Sequence, residues 1–201
     1  MDCLKASRTR RQLMAAWAGL PLATTASMPD AAEARIARPR KPILIAYFSR
    51  SGNTRVVAGL LQRALGADLF EILPASPYPD DYLATVEQAK QERDQGIEPA
   101  LKAKVPNIAR YATIFLGMPI WGETTPPIIR SFLSAHDLAG KSLIPFITHG
   151  GYGLGSSERV IARHAPGAQL GRAFSMQADQ ERQTMNRVNA WLGQWPAGTT
   201  K

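Results

Sequence analysis

Ser49-Arg50-Ser51-Gly52-Asn53-Thr54 sets three hydroxyls, a side-chain amide and a guanidinium around a single glycine. These groups donate hydrogen bonds, and the glycine lets the backbone turn sharply, so the run suits an oxyanion and above all a phosphate. The setting reinforces this. Ile43 to Tyr47, closed by Phe48, is an apolar run without alternation. After the loop, Val56, Val57, Leu60, Leu61 and Ala64 recur at helical spacing as far as Gly66. Strand, tight loop and helix in that order aim backbone N–H groups at a ligand from the positive end of the helix. A nucleoside-triphosphate loop would continue from its glycines into Lys-Ser/Thr, and no lysine follows Gly52. A dinucleotide loop would need three spaced glycines, and this loop has one. The plainer alternative is a polar turn with Thr54 capping the helix.

Other chemistry is thin. Cys3 is the sole cysteine, and His136, His149 and His164 are too scattered for a metal site. Two later loops are unusual. Pro119-Ile120-Trp121-Gly122-Glu123-Thr124-Thr125-Pro126-Pro127 is a proline-bounded turn carrying a tryptophan. Thr148-His149-Gly150-Gly151-Tyr152-Gly153-Leu154-Gly155 is rich in glycine, which lets backbone approach a flat ligand and permits positive φ.

Five strands place these loops: Ile43 to Phe48, Asp68 to Leu73, Tyr111 to Met118, Ser142 to Thr148 and Gln169 to Met176. Helices alternate with them. The second spans Asp80 to Gln95, with Asp80 as cap and Leu83, Val86 and Ala89 as its apolar stripe. Residues 96–110, with Pro99 and Pro106, read as an irregular connection. The third helix opens on Pro126 and Pro127 and buries Ile128, Ile129, Phe132 and Leu133. The fourth runs from Ser157 to His164. The last is capped by Asp179 and buries Met185, Val188, Trp191 and Leu192, ending at Gly193. The pattern predicts an α/β fold with a doubly wound, five-stranded parallel sheet. All three unusual loops then leave carboxyl ends of strands, where ligands of such sheets bind.

The hydroxyl loop, Gly117 to Gly122 and Phe146 to Gly153 together resemble the flavodoxin family, over residues 42 to about 195. The resemblance implies strand order 2-1-3-4-5 and bound FMN. Ser49, Arg50, Ser51, Gly52, Asn53 and Thr54 would hold the phosphate. Pro119, Ile120, Trp121 and Gly122 would line one side of the isoalloxazine, and Thr148, His149, Gly150, Gly151, Tyr152 and Gly153 the other. Trp121 reads either as a flavin stacking partner or as a packed lid, and Tyr152 as a contact or a surface residue. His149 reads as a polar loop residue bonding backbone in preference to a proton carrier. Electron carriers of the family are usually acidic, whereas this chain has a net charge of +8. The expected consequence is a less strongly reducing flavin, partly offset by Glu123. Lysine and arginine are spread along the whole chain without a nucleic-acid motif, so the charge reads as tuning solubility and the choice of redox partner.

Residues 1–34 read as an export signal. Thr9-Arg10-Arg11-Gln12-Leu13-Met14 resembles the twin-arginine motif, an uncharged run reaches Pro29, and Ala32-Glu33-Ala34 offers a cleavage site. That run is too polar to span a membrane. The expected organisation is signal 1–34, linker 35–41, domain 42–196 and tail 197–201, in a protein exported folded to the periplasm, or cytoplasmic if residues 1–34 are no signal. Three functions remain open: an FMN electron carrier serving a redox partner protein or small-molecule acceptor, an NAD(P)H-dependent quinone or small-molecule reductase, and a cofactor-free binding module.

Overall fold

The computed structural model describes residues 42–177 and 181–194, excepting the side chains of 181–186. The expected signal, linker, Asp179 cap and tail lie outside these residues. Three strands, β1 (Ile43–Tyr47), β3 (Thr113–Pro119) and β4 (Ser142–His149), form the middle of a parallel sheet. Nearly every residue in them is buried, because helices cover both faces and no alternation is needed. β2 (Asp68–Glu71) pairs with β1 on one edge, and the order is β2-β1-β3-β4-β5, as expected.

The fifth strand departs from expectation. It is two pieces, β5 (Gln169–Leu170) and β6 (Phe174–Gln177), both paired with β4. Pro145 accounts for the break. Gly171 N donates to Leu143 O at 2.8 Å, so Leu143 turns its polar groups to this edge. Pro145, two residues on, turns its ring nitrogen the same way and has no N–H to continue the ladder.

One face of the sheet is covered by α1 (Asn53–Leu65) and α5 (Glu181–Gly193), which pack Val57, Ala58, Leu61 and Val188 against Ile45, Phe115 and Phe146. The other is covered by α3 (Pro127–Ala135) and α4 (Ser157–His164), with Ile128, Phe132 and Ile161 against Leu44, Ile114 and Leu116. In α1 the buried face is Thr54, Val57, Ala58 and Leu61, while Val56 and Ala64 are exposed. The expected stripe was therefore slightly rotated. Gly66 ends the helix at φ 60°.

α2 (Tyr82–Asp94) differs most from its reading. Its cap is Asp81, whose Oδ1 accepts from Ala84 N at 2.8 Å, and not Asp80. It buries Thr85, Ala89 and Glu92, leaving Leu83 72% and Val86 46% exposed. The chain leaves β2, forms this helix, and returns beside its own departure point. Ala75 N donates to Ala100 O at 2.7 Å, and Lys102 N to Leu73 O at 2.8 Å. Residues 75–100 thus form an arm closed at its base near the carboxyl end of β2. The return then runs through a short 3-10 turn, Ile108–Arg110, into β3.

Two local features carry predictions. Gly117 lies opposite Phe146, and a Cβ there would sit 2.1 Å from the Phe146 ring. Gly117→Ala should lower unfolding stability in urea by about 1–3 kcal/mol, through overpacking; an unchanged midpoint would contradict this packing. His136 ends α3, its Nε2 accepting from Val105 N at 3.0 Å and its Nδ1 donating to Phe132 O at 2.8 Å. Burial lowers its pKa below 6.5, the Phe132 bond partly offsets this, and the nearby Lys104 adds a smaller lowering. The unfolded chain therefore takes up a proton before the folded one, and stability is lost as pH falls from 6.5 towards the lowered value. The urea midpoint should fall between about pH 7.5 and about pH 5.5, and fall less in His136→Gln. Equal slopes in both proteins would contradict this role.

Candidate functional site

β1 delivers the chain to the hydroxyl loop through Phe48, whose N–H donates to Gly117 O at 2.9 Å. Ser49 Oγ accepts from Gly52 N at 3.1 Å and closes a tight turn. Gly52 sits at φ 97°, a conformation that favours glycine, and α1 starts at the next residue. No side chain caps this helix, and its first turn carries no acid. Its first backbone bond runs from Val56 N to Gly52 O at 3.0 Å. The amides of Asn53, Thr54 and Arg55 precede that bond and face outward for an acceptor. Thr54 is not the cap of the turn reading: it is buried, and its hydroxyl pairs with that of Thr148 at 2.9 Å, tying the loop to β4. Arg50 leans away, donating to Asp80 O at 2.8 Å with its guanidinium 5.8 Å from the centre of the Tyr82 ring.

The loop after β3 is a tight hairpin. Trp121 and Thr124 exchange backbone bonds of 3.0 and 3.3 Å, with Gly122 at φ 57° and Glu123 at φ 61° between them. Two successive left-handed residues make a type I′ turn. Holding Glu123 there costs about 1–2 kcal/mol, and the loop after β4 secures it. Ser156 N donates to Glu123 O at 2.9 Å, and the Ser156 hydroxyl donates to Thr124 Oγ1 at 2.9 Å. Gly155 fits because a Cβ there would lie 2.1 Å from Glu123 O.

Trp121 meets Phe48 and Tyr78 edge-on, with ring centres 5.2 and 5.0 Å away. Tyr78 in turn donates to the buried Glu92 carboxylate at 2.8 Å, whose other oxygen takes Gln88 Nε2 at 2.8 Å. Burial and then the Glu92 carboxylate push the Tyr78 hydroxyl far above its ordinary pKa, so it remains a donor. Trp121 is therefore packed on one side and open on the other.

In the loop after β4, Gly151 N donates to His149 Nδ1 at 3.0 Å, so His149 bonds backbone. Burial, then Arg187, lower its pKa and favour the neutral ring. Tyr152 stands 68% exposed between Gly151 and Gly153, both at positive φ.

These loops and α2 surround a cavity of about 650 Å³, within the range of small-molecule sites. Of the residues expected to bind cofactor, Arg50, Ser51, Pro119, Ile120, Trp121, Gly122 and Tyr152 line it. Ser49, Gly52, Asn53, Thr54, Thr148, His149, Gly150, Gly151 and Gly153 are not in its lining; several of them shape or brace its loops. Glu123, expected beside the flavin as a charge, is in the lining; sequence reasoning missed the α2 wall, namely Tyr82, Thr85, Val86, Ala89, Lys90 and Arg93, and also Thr124, Thr125 and Pro127. Tyr82, Val86 and Lys90 recur every four residues, a visible stripe whose destination depends on the closed arm. Thr125 Oγ1, in the lining, is buried without a hydrogen-bond partner among the described residues. Among those residues no cluster of His, Cys, Asp or Glu could hold a metal, and no helix is long and apolar enough to cross a membrane.

A sequence model of the flavodoxin family matches residues 42–194. Two solved structures, each described as that of a flavoprotein, are similar over most of their length. That from Bacteroides uniformis is 30% identical with a TM-score of 0.69, covering 77% of this chain and 99% of the other. That from Bacteroides eggerthii is 34% identical with a TM-score of 0.67, covering 76% and 96%. A flavoprotein from Lactobacillus acidophilus in complex with FMN is 21% identical, covering 73% of this chain and 99% of the other, and its TM-score of 0.59 speaks to fold alone. No curated protein matches the chain. The match across the whole sheet and its three loops leads to one conclusion: this chain belongs to the flavodoxin family.

Proposed function

We propose that the protein binds FMN in the cavity and works in electron transfer. One observation carries the reading: the uncapped, acid-free start of α1 adjoins a cavity flanked by Trp121 and Tyr152. The donor set fits a phosphate monoester. Ser49 and Thr54 are engaged with Gly52 N and Thr148, so the phosphate falls to the amides of residues 53–55 with the Ser51 and Asn53 side chains. Arg50, held by the Asp80 carbonyl, contributes positive potential. The partnerless Thr125 hydroxyl offers a polar contact to the ligand. FMN, when bound, supplies reversible one- and two-electron chemistry. Trp121 and Tyr152 shield its ring from water, while Glu123 opposes negative charge that Arg50, Lys90 and Arg93 favour.

The Lactobacillus acidophilus complex with FMN supports the choice of cofactor by likeness of fold. A second reading, a reductase acting on small molecules, is favoured by the share of the lining that α2 contributes beyond the three loops. We also propose export by the twin-arginine route, on the strength of Thr9 to Met14 and Ala32-Glu33-Ala34. A pathway that carries folded proteins would let the flavin be loaded before crossing.

Asn53→Asp tests the phosphate assignment because its two effects have opposite signs. A carboxylate at the start of α1 should stabilise the FMN-free protein by about 0.3–1 kcal/mol and weaken FMN binding at least about tenfold by repelling the phosphate. Thermal unfolding and fluorescence titration read the two, and unchanged FMN affinity would place the phosphate elsewhere. For export, replacing Arg10 and Arg11 together by Lys should leave the protein in the cytoplasm; secretion as in the parent would refute the route.

A further inference from the structure

α2 turns one face to the cavity, and that face is graded. Tyr82 and Val86, 65% and 46% exposed, lie at its amino-terminal end, and Ala89 forms the floor. Lys90 and Arg93 lie at the other end. Arg93 reaches across to the type I′ turn: a Cβ on Gly122 would come 2.5 Å from its guanidinium, so the glycine makes room for it. Arg93 also pairs with Asp94 at 3.2 Å through Nε, and across the cavity Glu123 is the acid in the lining, against Arg50, Lys90 and Arg93. Positive charge prevails. Exposed apolar side chains beside a cationic end are a poor surface for water alone and a good one for a ligand carrying both characters.

We propose that this wall binds a planar aromatic anion, an aromatic carboxylate or sulfonate. Its rings lie against Tyr82 and Val86, and its acid group meets Lys90 and Arg93. Eight residues separate Tyr82 from Lys90, about 12 Å along the axis, the span of a two-ring acid rather than of a benzoate. The proposal deepens the reductase reading and rests on the flavin reading for one consequence, that such a ligand sits beside a redox group. Binding itself stands without it.

The test is calorimetric titration of 2-naphthoate, with 2-naphthylmethylammonium as the cation of like shape, into FMN-free and FMN-loaded protein. Naphthoate should bind both forms and be preferred over the cation by about tenfold or more at low salt. The double substitution Lys90→Gln with Arg93→Gln should lower its affinity about tenfold and erase the preference. Val86→Glu, an exposed site where circular dichroism will confirm the fold, should also weaken it. Equal binding of anion and cation, or an unaffected double variant, overturns the proposal. Displacement by inorganic phosphate would put the anion at the α1 loop, and loss on loading with FMN would give the α2 wall to the flavin itself; either result also overturns it. If FMN fails to bind while naphthoate still titrates, the flavin reading falls and this one stands.

Discussion

The amino end of α1 governs the rest of the molecule. A helix start leaves amide donors that need an acceptor, and most helices supply one from a capping side chain. Here the turn is closed by Ser49 on Gly52, Thr54 is taken by Thr148, and no side chain caps the helix. The donors remain ordered and directed outward at the carboxyl edge of the sheet. Helix polarity and bare amides together favour an anion there. Everything else at this edge defines what shape that anion carries with it.

The two walls beside the loop are braced by contacts distant in sequence. The hairpin after β3 keeps Glu123 left-handed because Ser156 binds its carbonyl and Gly155 leaves room for it. Trp121 holds its angle against Tyr78, and Tyr78 is fixed by Glu92 from the last turn of α2. A buried carboxylate without partners would be expensive, so the Tyr78 and Gln88 donors satisfy Glu92 while orienting the aromatic group. These hydrogen bonds within the arm therefore also shape the cavity. With both loops and the arm in register, a ligand meets a largely preformed site, which reduces the ordering cost of binding.

Much of this was legible from the residues. The unbroken apolar runs around Ile45, Phe115 and Ile144 announced central strands buried on both faces, and Pro127 announced a helix start. The loops after β1, β3 and β4 were placed correctly because strand and helix periods leave little freedom about where such loops fall. α2 was not legible. Leu83 and Val86 carry the hydrophobicity that a stripe suggests, yet the buried positions are Thr85, Ala89 and Glu92, whose burial depends on Tyr78 and on the arm's closure. A local reading cannot see either. The neighbouring aspartates at 80 and 81 are equally good caps by type, and backbone geometry alone chose Asp81. The split fifth strand follows from the direction in which Pro145 faces, a matter of register. Trp121 is packed at one edge, as its lid reading expected, and also lines the cavity.

The most direct measurement compares FMN with riboflavin, which carries the same ring without the phosphate. If the bare amides of α1 hold the phosphate, FMN should bind one-to-one and at least about a hundredfold more tightly than riboflavin, the worth of two or more charge-assisted hydrogen bonds. Equal affinities, or no binding of either, would contradict the account at its root.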